Sequence, residues 1–184
     1  MDTSAIAIGV TLATAAGLAV LATGATAYFR RGRGAGEDWT PLLWAVAILL
    51  QLTAYWWRFR EMAAPVDTWT LPALAFVASR TAALLLAAAL ILPLKRQPAG
   101  ETVGTGYAVR GRWALVALAV FHLLAIAGLL LAGEWLLGEA VRTDLALLVL
   151  AAAGLLGSPR VAGLAAGAYA LATVWSLVQP GLVP

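Results

Sequence analysis

The stretch Leu71–Leu92, LPALAFVASRTAALLLAAALIL, decides the fold: apart from Arg80 it carries no charge. A helix needs roughly 20 apolar residues to cross a hydrocarbon layer about 30 Å thick, and this run supplies them. Arg80 falls near its middle. A guanidinium does not give up its proton, so at that depth it needs a counter-charge, water, backbone carbonyls or a ligand. The same stretch thus fixes the solvent of the protein and marks its most costly side chain.

Composition extends this reading to the whole chain. Of 184 residues, 62% are hydrophobic and 11% charged, against about 25% charged in a soluble domain. Too few polar side chains remain to cover a water-facing surface, so lipid is expected to surround much of the molecule. One membrane domain over residues 1–184 is expected, because no hydrophilic segment is long enough to bury a second core. The absence of cysteine excludes disulfides, thiolate metal sites and cysteine nucleophiles. The net charge of +3 reflects loop arginines rather than a nucleic-acid surface.

Six spans follow from hydropathy and punctuation, near Ala5–Phe29, Pro41–Trp57, Leu71–Leu92, Trp113–Leu131, Leu145–Gly157 and Val161–Val178. The fifth is short for a straight crossing; it begins earlier, near Leu136, or sits inside the bundle. Thr40-Pro41 and Ser158-Pro159 each set a capping hydroxyl before a proline suited to a first helical turn, and Pro72 plays the same part in the third span. Lys95–Arg112 is the longest predicted loop. Ala25-Thr26-Ala27 has the form of a cleavage site. The leading Met1-Asp2-Thr3-Ser4 lacks a basic residue, however, so the first span is expected to stay uncleaved.

Basic residues set the orientation. Arg30, Arg31, Arg33, Lys95, Arg96, Arg110, Arg112 and Arg160 lie in the first, third and fifth loops, against Arg58, Arg60 and Arg142 on the other side. For the all-α bundle of six spans, this asymmetry puts the odd loops in the cytoplasm and both termini outside, N-out and C-out. The tryptophans fit interfacial belts, with Trp39, Trp44 and Trp113 inside and Trp56, Trp57, Trp69, Trp135 and Trp175 outside. Gly9, Ala13 and Gly17 recur at four-residue spacing, as do Gly163 and Gly167. Small residues so placed let backbones approach, within the bundle or against another subunit.

The candidate ligand-binding residues are Arg80, Gln51, His122 and Tyr169, with Ser79 at similar depth. Arg80 either binds an anionic or carbonyl group from within the bundle, or satisfies itself on carbonyls and hydroxyls. No Asp or Glu falls within the predicted spans at that depth, so no internal ion pair is expected. His122, the sole histidine, reads as a hydrogen-bonded packing residue, a proton relay, or an axial ligand to haem or a chlorin with Ala119 and Ala125 leaving room. Tyr55, Trp56, Trp57, Arg58, Arg60, Glu61 and Trp69 form a dense interfacial cluster. Its aromatic faces and arginines either cradle a lipid, quinone or pigment edge or form a belt with Arg58 or Arg60 paired to Glu61 or Asp67.

No catalytic set is visible: there is no paired intramembrane carboxylate, no His/Asp/Glu cluster for a metal, no Ser–His arrangement and no phosphate-cradling glycine loop. No cofactor is called for, and no nucleic-acid partner. Leu43-Trp44, Gln51, Tyr55-Trp56-Trp57, Arg60-Glu61, Trp69-Thr70 and Leu92-Pro93 give the segment 42–93 a pattern that resembles a group of small, uncharacterised bacterial six-span integral membrane proteins. The resemblance implies a fold and a bacterial membrane, and brings no catalytic residues. Two functions are therefore expected from the chain: an accessory or assembly subunit packed against other membrane subunits or itself, or a channel, carrier or sensor for a small anionic or amphipathic ligand using Arg80. A cofactor or pigment protein built on His122 stands behind both.

Overall fold

The computed structural model describes residues 3–30, 39–63, 69–92, 103–133 and 138–178. They form six helices: α1 (Thr3–Arg30), α2 (Thr40–Ala63), α3 (Leu71–Ile91), α4 (Val103–Leu131), α5 (Glu139–Leu156) and α6 (Pro159–Val178). No strand occurs among the described residues. Five of the helices, all but α5, are long and apolar enough to cross a membrane, which marks a multi-pass membrane protein. Arg31, Arg33, Asp67, Lys95, Arg96 and Trp135 lie outside the described residues.

Helix starts follow local chemistry. Thr70 caps α3 by accepting from the Ala73 N–H, with Pro72 in the first turn where its missing N–H is harmless. Pro159 opens α6 directly after Ser158. The second helix runs six residues beyond its predicted end, and the fourth begins inside the predicted loop, at Val103. Hydropathy marks where lipid begins, whereas a helix already nucleated there propagates into polar sequence at little further cost. The fifth starts at Glu139, so its first two turns carry Glu139, Arg142 and Asp144.

Each helix packs on its neighbours around the circuit α1–α3–α4–α5–α6–α2, which closes back on α1, with α2 also touching α3. In lipid, close van der Waals contact replaces the hydrophobic drive between helices. Glycines supply part of it. The Gly128 backbone lies against the Phe76 ring, and Gly154 lies against the Trp44 indole, each without room for a Cβ. Trp44 is fully buried, its ring 5.6 Å from that of Tyr169. It is therefore a core residue and not part of an inner belt, while Trp39, Trp57, Trp113 and Trp175 do expose their indoles. Gly17 packs on Leu52 and Leu85, but Gly9 and Gly167 meet nothing within 4 Å.

Candidate functional site

Polar residues from four helices converge in the bundle. His122 of α4 is completely buried. Its Nδ1 lies 2.7 Å from Asp144 Oδ1 of α5, and its Nε2 lies 2.6 Å from the Tyr169 hydroxyl of α6. The Tyr169 hydroxyl also reaches Gln51 Oε1 of α2 at 3.2 Å, and Thr173 donates to the same oxygen at 3.3 Å. One hydrogen lies between Nδ1 and Asp144 Oδ1; where Asp144 is a carboxylate, which only accepts, Nδ1–H donates it. Both contacts to the ring are short, as charge-assisted bonds are. Asp144, His122, Tyr169 and Gln51 thus form one hydrogen-bonded chain across four helices.

This corrects the expectation that no carboxylate reaches the interior. Asp144 is buried, on the face of α5 that also presents Val141, Leu147, Ala151 and Gly154. Arg142-Thr143-Asp144 reads as loop by composition. Yet the spacing of Asp144 from Val141 and Leu147 is that of a helical face, and this signal was legible. Thr173, one turn after Tyr169, follows the same logic.

Arg80 of α3 does not join this chain. Its guanidinium carbon lies 4.8 Å from the Phe121 ring centre, 5.3 Å from that of Tyr55 and 5.9 Å from that of Phe76. Three aromatic faces therefore surround the charge, each contributing about 0.5–2 kcal/mol of cation–π attraction. The Arg80 Nε–H is buried and has no hydrogen-bond partner. Asp144 is the carboxylate that acts on it electrostatically, without forming an ion pair with it. Ser79 turns back to its own helix, donating to the Ala75 carbonyl. Of the residues expected around Arg80, Gln51, His122 and Tyr169 do assemble, but on Asp144. Phe121 joins the two centres, since its ring also meets His122 edge-to-face at 5.1 Å.

The aromatic cluster of α2 divides by helical period. Tyr55 and Phe59 point inward: the Tyr55 hydroxyl bonds Thr81 Oγ1 at 2.9 Å, and Phe59 stacks on Trp69 at 6.0 Å. Trp56 turns to α1 and donates to Thr11 Oγ1, with Arg60 over its ring at 5.1 Å, while Trp57 stays exposed. Neither Arg58 nor Arg60 forms an ion pair with Glu61, whose Oε2 is buried without a partner. Tyr55 belongs to the wall around Arg80, so only part of the cluster serves as a belt.

Both ring nitrogens of His122 are taken, so an axial bond to haem or chlorin iron or magnesium requires Asp144 or Tyr169 to let go. No group of three or more His, Cys, Asp or Glu that could hold a metal occurs among the described residues. Comparison with family models, curated proteins and solved structures finds no match to this chain.

Proposed function

We propose that this is a non-enzymatic protein of a bacterial cytoplasmic membrane, crossing it six times with both ends outside. In this reading it is a channel, carrier or sensor that binds a small amphipathic anion at Arg80. One observation carries it: a permanently charged guanidinium stands among three rings with a buried N–H that the protein leaves unused. A structural arginine would spend its donors on carbonyls or hydroxyls. Here the rings offer apolar contact to a tail and the Nε–H remains for an anionic head.

Benzenesulfonate tests this, since it stays ionised and does not cross bilayers unaided as a neutral acid does. Calorimetry with the full chain in nanodiscs should detect its binding. Arg80→Leu should weaken it about 10-fold or more, the scale of a lost charge-assisted bond, while Arg80→Lys should retain part of it. Flux into proteoliposomes then separates a channel or carrier from a sensor. Equal binding by wild type and Arg80→Leu ends the proposal.

A second reading, an accessory subunit or homo-oligomer, draws on Gly9 and Gly167, whose open faces leave room for a helix from outside the chain. A natively extracted particle with the mass of one chain and no partner would count against it.

A further inference from the structure

The buried chain requires an accounting of its hydrogens. A tyrosine hydroxyl has one to give. Tyr169 Oη lies within reach of two groups, His122 Nε2 and Gln51 Oε1, and an amide oxygen has none to offer in return. When His122 is neutral and gives Nδ1–H to the Asp144 carboxylate, Nε2 is a bare acceptor. The Tyr169 hydrogen then serves either Nε2 or Gln51, and one of the two contacts goes unmade. A proton added to Nε2 removes the conflict. Nδ1–H donates to Asp144, Nε2–H donates to Tyr169 Oη, and the Tyr169 hydrogen passes to Gln51 Oε1. The two states differ by one proton and the direction of one hydroxyl, with no heavy atom displaced.

We infer that the chain Asp144–His122–Tyr169–Gln51 is a reversible site for one proton, and that its occupancy is coupled to an anion at Arg80 so that proton and anion are taken up together. The coupling rests on the proposed anion site, whereas the proton site stands without it. Charge gives the reason. With the site empty, Arg80 and Asp144 cancel one another. The added proton leaves one uncompensated positive charge in a low-dielectric interior, and a bound anion restores neutrality. The charged and titratable groups facing His122 are Asp144 from α5, Tyr169 from α6, Arg80 from α3 and Arg58 from α2, with Tyr55 of α2 behind Phe121. Arg80 and Arg58 repel an imidazolium, and an anion seated on Arg80 relieves that repulsion. Phe121, in contact with both Arg80 and His122, is the shared wall across which the field acts.

Because the chain has a single histidine, nitrogen-15 labelling of histidine reports this site alone. The test is a pH titration of the labelled full chain in lipid vesicles by solid-state NMR, with and without benzenesulfonate. Two protonated ring nitrogens at acid pH should give way to one protonated and one bare nitrogen at alkaline pH. In Asp144→Asn, the doubly protonated form should disappear; Tyr169→Phe, which keeps the packing, should change the Nε2 signal and leave Nδ1 little altered. Benzenesulfonate should raise the proton-binding constant about 5-fold or more in wild type and leave it unchanged in Arg80→Leu. A spectrum constant across the whole range overturns the proton site. A titration that benzenesulfonate does not move, although calorimetry shows it bound at Arg80, overturns the coupling. If calorimetry shows no binding, the anion site itself fails, and the titration still decides the proton site.

Discussion

Asp144 holds one nitrogen of His122 and Tyr169 holds the other, and the two bonds answer differently to removal. In Asp144→Leu, the Nδ1–H is left buried with no acceptor. That should cost about 1–3 kcal/mol, read as a lower midpoint in detergent-induced unfolding. Tyr169→Phe removes a hydroxyl from two partners: Gln51 keeps Thr173, while His122 Nε2 loses its one contact. Interhelical hydrogen bonds in membranes average about 0.6 kcal/mol, and a loss near 1 kcal/mol is expected here. At this scale the sequence was partly readable. Gln51, His122 and Tyr169 stand out because each interrupts an apolar run. Asp144 hid because it stands in a charged stretch, with Glu139 and Arg142, that reads as loop ahead of the apolar run from Leu145.

Helix packing rests on a few glycines, and their neighbours decide what a methyl group does. Gly154→Ala drives a Cβ into the indole of Trp44, which is itself fully buried and cannot swing aside. Overpacking of this kind costs about 1–3 kcal/mol, and thermal unfolding in detergent should report it. Gly167→Ala meets open space and should be neutral or slightly stabilising in the monomer. Gly128→Ala presses on Phe76, one of the rings around Arg80. It should weaken benzenesulfonate binding several-fold in calorimetry while Gly167→Ala leaves it alone. Helix positions were largely evident from apolar runs, and the ends were not, because polar residues prolong a helix once it leaves lipid. Trp44 was misread for a related reason. Its place near a helix start matches an interfacial belt, and only the approach of α5 and α6 covers it.

Over the whole molecule, the number of crossings is the quantity that decides orientation. If α5 crosses with the other five, both ends lie on one face; if it does not, they lie on opposite faces. The chain has no cysteine, so single cysteines at Ser4 and Val178 can be labelled in intact cells without background. Both should react with a membrane-impermeant maleimide added outside, and reaction of only one would refute the six-span arrangement.

The hydrogen-bonded chain takes one member from each of α2, α4, α5 and α6, and Tyr169 is the last of the four to be synthesised. Until Tyr169 leaves the ribosome, Gln51 and one edge of the His122 imidazole have no permanent company in the bilayer. Truncation before α6 should therefore yield a nascent product that insertion chaperones retain and quality-control proteases remove. Biogenesis of this protein then has a checkpoint, set by the arrival of a single phenol.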